Sequence, residues 1–305
     1  MNETSGNSRT VTSYATLVRV PNLFTAPPDI ILGAAIAAGA GYSISIDGVV
    51  GLALASILLY AAGTTLNDYF DADEDARERP ERPIPSGDVS KRQALVFGVV
   101  LLGSGVLLAL VAAGFTSGLV AAVLALTILL YDGVFKGTSV GFLLMGGSRG
   151  LNVLLGSTLA VSPTALPSWA VAVVGTITLY IAAVTFLAES ETGDTDSRSI
   201  PVAIGGTGAA VLGVLAVAVV RSPSPVEVAL AIGLLSGFTA WTGRALFRAY
   251  ADPSPATIGP AIGTCVVALI VLNAAFAAIV GIRWSLAALV FLLPAMGLSR
   301  VFDVT

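Results

Sequence analysis

The sequence predicts an all-α protein, a polytopic membrane bundle of nine to ten transmembrane helices around a central cavity. Two observations carry this expectation. Hydrophobic residues make up 55% of the 305 and charged residues only 11%, with a mean hydropathy of +0.90, far from the balance of a soluble globular domain. The apolar residues also fall into successive runs of about 20, the length that a helix needs to cross the hydrocarbon core.

Ten such spans can be drawn: 22–42, 49–69, 93–114, 117–135, 139–161, 168–188, 201–220, 226–247, 257–281 and 284–299. They leave no room for a second domain, so residues 14–305 read as one integral-membrane unit. Residues 1–13 are polar and read as a flexible tail, without the apolar core of a cleaved signal peptide. The 33 glycines and abundant alanines suit close helix packing in lipid.

Charge sets the expected orientation. With a cytoplasmic N-terminus, Arg9, Arg19, Arg77, Arg79, Arg82, Lys91, Arg92, Lys136, Arg198, Arg244, Arg248 and Arg300 all fall on or near the cytoplasmic side. Only Arg221 and Arg283 fall outside, which is a strong positive-inside bias. A multi-pass protein of the cell membrane, with its acidic loops facing the cytoplasm, is the expectation. The net charge of −4 gives no footprint for nucleic acid. The chain has one cysteine, Cys265, and no histidine, so a disulfide and histidine-based bases or metal ligands are excluded.

The first span opens with Pro21-Asn22-Leu23-Phe24-Thr25-Ala26-Pro27-Pro28-Asp29. Asn22 and Asp29 are seven residues apart, on one face of a continuous helix, and the prolines predict a kinked entry. The second span runs into Asn67-Asp68-Tyr69-Phe70-Asp71-Ala72-Asp73-Glu74-Asp75, and 8 of the 19 acidic residues lie between Asp68 and Asp88. On a helix, Asp68, Asp71 and Asp75 fall within roughly 60° of arc. Three carboxylates so placed suit a hard divalent cation such as Mg²⁺; a solvated acidic loop between helices fits the same spacing. Behind them, Pro80, Pro83 and Pro85 hold Arg82 in an extended loop, where its fork suits phosphate oxygens.

The fourth span closes on Tyr131-Asp132-Gly133-Val134-Phe135-Lys136. Its lysine reads either as an interfacial anchor or as a diphosphate contact. Arg149 lies about ten residues into the fifth span, where a charge must face an internal site or pair with an acid. Asn152 follows on the same face. The sixth span ends in a second acidic cluster, Glu189-Ser190-Glu191-Thr192-Gly193-Asp194, followed by Asp196 and Arg198.

Asn67-Asp68-x-x-Asp71-x-x-x-Asp75 followed by Arg79-Pro80-x-Arg82-Pro83-Ile84-Pro85-Ser86-Gly87 resembles the first signature of the UbiA superfamily of intramembrane prenyltransferases. The resemblance runs over residues 19–300. Its usual nine-helix core implies that one of the last segments is short, bent or re-entrant. It implies Mg²⁺-dependent transfer of an isoprenyl group from a diphosphate to a lipophilic acceptor drawn from the membrane. Asp68, Asp71 and Asp75 would hold the metal, with Glu191 and Asp194 of a second box that departs from the usual Asp-x-x-x-Asp pattern. Asn22, Asn67, Arg82, Tyr131, Lys136, Arg149, Asn152 and Arg198 would contact substrates. Tyr69, Tyr131, Tyr180 or Phe186 would offer ring faces to an allylic cation. Asp132 stands where the family usually has serine. The first-span motif, the Arg-Pro loop, Tyr131-Asp132-x-x-x-Lys136 and Arg149-Gly150-Leu151-Asn152 together resemble the branch called EboC, linked with export of a metabolite precursor. A non-catalytic lipid or metabolite carrier on the same scaffold is therefore the alternative function, favoured by Arg149 and the altered second box.

Overall fold

The computed structural model describes residues 11–192 and 198–298. Residues 11–17 form α1, followed by the short α2 (Val20–Leu23) and by α3 (Pro27–Gly39). Residues 11–13, assigned from sequence to the tail, thus belong to a helix. Leu17 anchors it by packing with Val89 and Ala94. Arg19 joins α1 to α2 in the left-handed region, φ 49°, which costs a residue with a Cβ about 1–2 kcal/mol. Pro27 and Pro28 start α3 afresh, because neither can donate to a preceding turn. Asn22 and Asp29 consequently do not share one helical face, contrary to the sequence expectation.

The long helices follow in order: α4 (Ile46–Phe70), then short α5 (Ala72–Glu78), α6 (Lys91–Ala113), α7 (Phe115–Leu130), α8 (Ser139–Ser157), α9 (Ser168–Thr192), α10 (Ser199–Arg221), α11 (Pro225–Ala251) and α12 (Pro255–Ala278). Side-chain caps fix several starts. Ser45 accepts from the Gly48 amide, while Ser90 with Gln93 and Ser224 with Glu227 form reciprocal capping boxes. Gly114 turns α6 into α7 at φ 85°, a conformation that favours glycine.

Eight helices among the described residues are long and apolar enough to cross a membrane. The fifth drawn span, α8, is 19 residues and about 28 Å long, yet is more polar than those eight. It is tucked between α3, α7 and α9, where lipid need not solvate it. The tenth drawn span is broken into α13 (Ile282–Leu289) and α14 (Leu292–Leu298). Pro294 accounts for the break, since its ring opposes a helical carbonyl four residues earlier. This agrees with the expectation that a last segment is short or bent.

The bundle is built around α3 and α12. Every residue from Pro27 to Ala37 and from Ala268 to Ala278 is buried, as befits helices that are apolar on all sides. The outer helices expose valine and leucine instead, including Val99, Leu107 and Val111 on α6 and Leu212, Val219 and Val220 on α10. Glycines set the closest approaches. A Cβ at Gly33 would collide with the Val153 carbonyl and one at Gly156 with the Ile30 carbonyl, so α3 and α8 touch backbone to backbone.

Candidate active site

Charged groups from distant parts of the chain meet at the end of the bundle where α4 finishes. Asp68 sits in the last turn of α4 and is 5% exposed. Its Oδ1 accepts from Arg19 Nη2 at 3.0 Å and from Arg82 Nη1 at 3.5 Å. The same Arg82 nitrogen donates to both Asp75 oxygens, at 2.9 and 3.1 Å. The Arg82 amide bonds to the Arg79 carbonyl, and its own carbonyl receives the Ser86 amide, so the proline-rich loop holds the guanidinium over α5. Asp71 pairs with Lys136.

The helix carrying these aspartates is not continuous. It breaks at Asp71, which ends α4 and begins α5. The three carboxylates therefore do not form the single-face triad expected from their spacing. Asp68 and Asp75 converge on one cationic nitrogen, while Asp71 turns to another partner. Burial works against the charge of Arg19, but the nearby acidic groups, led by Asp68, outweigh it and hold the guanidinium above its ordinary pKa. Lys91 and Asp73 pair on the surface, outside this cluster, with Asp73 91% exposed.

The second wall of the site is the wide turn Tyr131–Phe135, a π-helical segment that follows α7. Turns of this kind recur at functional sites because they displace a helical face by one residue. Here the turn buries Tyr131 and Asp132, brings Asp132 Oδ1 within 2.9 Å of Asn67 Nδ2, and carries Lys136 to Asp71. The end of α9 closes in beside it: a Cβ at Gly137 would stand 2.9 Å from Glu189 Oε1. Of the second acidic cluster, Glu191 and Asp194 lie outside the described side chains. Arg198 is exposed just ahead of α10.

Arg149 and Asn152 belong to a separate node deeper in the bundle. Arg149 Nη1 donates to Asp29 Oδ2 at 3.1 Å and to the Thr25 carbonyl at 3.2 Å, and Nη2 donates to Thr25 Oγ1 at 2.7 Å. Asn152 donates to the same Asp29 oxygen at 3.0 Å and Asn273 to the other at 2.6 Å. Asp29 and Asn273 are fully buried. The paired-acid alternative for Arg149 is the arrangement found. Tyr60 links the node to the charged end, its ring 4.8 Å from the Arg149 guanidinium carbon. Asn22 is half-buried, and its side chain joins neither network.

The ring faces expected for a cation sort differently from the sequence expectation. Tyr180 is fully buried in the core, donating to the Cys265 carbonyl at 2.8 Å and packing edge-on against Phe238. Phe186 packs against Phe142, and Tyr69 against Phe70 beneath Lys91. Tyr131 alone of the four stands in the wall of the site.

The sequence matches the UbiA prenyltransferase family over residues 30–258. The chain belongs to the UbiA prenyltransferase family. It is similar to the digeranylgeranylglyceryl phosphate synthase of Natronomonas pharaonis, with 32% identity across 66% of this chain and 75% of that protein. It is also similar to the synthase of the same name from Ignicoccus hospitalis, with 34% identity across 55% of this chain and 51% of that one. Two solved structures share the fold. A UbiA homologue from Archaeoglobus fulgidus bound to GPP and Mg²⁺ gives a TM-score of 0.65 at 16% identity, covering 91% of this chain and 99% of that one. A digeranylgeranylglyceryl phosphate synthase structure gives 0.62 at 21% identity, covering 90% and 99%.

As a UbiA prenyltransferase the protein is an enzyme of the membrane, and the donor set at the end of α4 can be tested against the family's Mg²⁺. Magnesium takes oxygen ligands, commonly one or two carboxylates with phosphate and water completing the shell. Asp68 and Asp75 fit in kind: both are buried carboxylates and both already reach one positive centre. Among the described residues no three acidic side chains come close enough to share an ion, so Asp71 would join only by leaving Lys136. Sequence reading missed Arg19, Asp132, Asp29, Asn273 and Tyr60. Asp132 and Asp29 lay inside recognised motifs without a role, whereas Arg19 depends on a backbone conformation that composition does not announce.

Proposed function

We propose that this UbiA enzyme transfers an isoprenyl group from its diphosphate, with Mg²⁺, to the free hydroxyl of a glyceryl phosphate that already carries a prenyl chain. The relatives' names supply the acceptor class, and the convergence of Asp68 and Asp75 on Arg82 is the observation that carries the chemistry. Asp68 and Asp75 would hold the metal. When bound, Mg²⁺ offsets the negative charge that builds on the diphosphate as the allylic C–O bond breaks. Arg82, released from the two carboxylates, turns to the diphosphate; Arg19 and Lys136 add positive charge from either side. Asn67 orients the wall that carries Asp132, and the Tyr131 ring lies against the prenyl end. Glu191, Asp194 and Arg198 keep in this reading the metal and substrate roles that the family resemblance implies.

The test is direct. Purified protein given labelled geranylgeranyl diphosphate, Mg²⁺ and geranylgeranylglyceryl phosphate should form the doubly prenylated product, and chelation of Mg²⁺ should abolish it. Binding of the diphosphate without transfer to any acceptor would favour the carrier. Arg149 no longer argues for that alternative, since its charge is committed to Asp29 and Thr25.

The positive-inside bias supports a cytoplasmic location for the site. Ser86 and Ser43 are both exposed, at opposite ends of α4 and the loops beyond it. In a Cys265→Ala background, Ser86→Cys should react with an impermeant thiol reagent only after lysis, and Ser43→Cys should react in intact cells. Labelling of Ser86→Cys before lysis would reverse the orientation.

A further inference from the structure

Alkylating a hydroxyl releases a proton, and this chain has no histidine to take it. The carboxylates at the end of α4 are poorly suited. Asp68 is bonded to two guanidinium groups, Asp75 to one of them and Asp71 to the Lys136 ammonium, so each already holds a cation where a substrate proton would have to go. Asp132 differs. Among the described residues its one hydrogen bond comes from a neutral amide, Asn67 Nδ2 to Oδ1 at 2.9 Å. Among the described residues nothing donates a hydrogen bond to its Oδ2, while the residue keeps 8% of its surface open.

Placement adds a second argument. The Tyr131–Phe135 turn carries Asp132 and is followed at once by Lys136, whose ammonium marks the leaving-group side through Asp71. One wide turn thus sets a carboxylate and an ammonium four positions apart beside the same aspartate cluster. The groups that bear on Asp132 are Asn67 and Asp71 at the end of α4, Lys136 just after its own turn, and Arg19 from the α1–α2 junction, while α7 and α8, which also pack against the turn, supply none of them. Glu189, at the end of α9, bears on Tyr131.

We propose that Asp132 takes the proton of a hydroxyl acceptor, a role that rests on the prenyl transfer to a hydroxyl inferred above. The allylic C–O bond breaks and its electron pair leaves with the diphosphate. A lone pair of the acceptor oxygen forms the new ether bond, and the hydroxyl proton passes to Asp132 Oδ2 and later to water. The substrate class that follows is an alcohol, whose proton needs a base, with Asn67 keeping the carboxylate turned towards it.

Asp132→Asn preserves the volume and a polar partner for Asn67 while removing the base. In the assay with geranylgeranyl diphosphate and geranylgeranylglyceryl phosphate, kcat should fall by about 10²–10⁴-fold, the usual worth of a general base, with KM for both substrates unchanged. Asp132→Glu should recover part of the rate. An acceptor analogue with a thiol in place of the hydroxyl, assayed at pH 9, ionises unaided because thiols titrate at about 8.5, and with it Asp132→Asn should approach the parent. A variant as fast as the parent on the alcohol would overturn the role, leaving the diphosphate or water as base. An equal loss on alcohol and thiol would also overturn it, as that is the mark of a structural residue. A parent protein silent with both acceptors would overturn the prenyl transfer to a hydroxyl itself, and this role with it.

Discussion

Arg149→Met should destabilise the protein by about 3–5 kcal/mol, the cost of leaving one partner of a buried ion pair uncompensated. Asp29 is completely buried, and without the guanidinium it would keep only the two amides of Asn152 and Asn273. Lipid and packed alanine around α3 and α12 offer no water to replace the lost partner. The double variant Asp29→Asn with Arg149→Met should recover most of the loss, because no charge then remains to be buried. The new amide at position 29 would also bring donors to a place where Asn152 Oδ1 and Asn273 Oδ1 lack a protein partner. Thermal unfolding in detergent, compared across the two single variants and the double, reads the coupling. A double variant no more stable than Arg149→Met would mean that Arg149 acts through something other than Asp29. Retained prenyl transfer in the double variant would place Arg149 in the scaffold, whereas its sequence position had suggested a substrate contact.

Asp68→Asn should lower Mg²⁺-dependent turnover by about 10²–10³-fold, comparable with losing one donor that stabilises transition-state charge. Asp73→Asn, five positions on, should leave turnover close to that of the parent. Both substitutions remove one negative charge from the same short stretch, so a diffuse acidic patch would respond alike to the two. The structure separates them. Asp68 is buried under Arg19 and Arg82, while Asp73 is 91% exposed and pairs only with Lys91. Removing Asp68 also frees Arg19 and leaves Arg82 with Asp75 alone, so diphosphate should bind as well or better when Mg²⁺ is absent. Weaker metal-free binding in Asp68→Asn, or equal turnover losses at positions 68 and 73, would show that Asp68 only maintains the fold.

Much of the molecule was legible in the sequence because the membrane imposes a simple demand. A helix must hide about 20 consecutive backbone units, and that requirement writes every span into the chain as an apolar run. Nine of the ten drawn spans correspond to α3, α4, α6, α7, α8, α9, α10, α11 and α12, and the tenth is the broken pair α13–α14. The charged cluster was legible for a related reason: Asp68, Asp75, Arg82 and Lys136 are costly beside an apolar interior unless they meet partners, and they do meet.

What the sequence left undecided turns on single backbone events and on contacts between residues far apart in the chain. Spacing put Asp68, Asp71 and Asp75 on one face; at the helix break Asp71 pairs with Lys136, while Asp68 and Asp75 meet at Arg82. Arg149 looked like a charge awaiting a substrate, and its partner lies 120 residues away on α3. Asp132 looked like a substitution within a motif, yet a π turn sets it against Asn67, 65 residues earlier. The sequence by itself determined the order of the long helices and where charge gathers at their ends, because hydrophobic length and charge are local properties. The tertiary structure decided which carboxylate meets which cation. A 3 Å ion pair depends on helix breaks and on glycine contacts such as Gly33 with Val153, and no local pattern encodes their combined geometry.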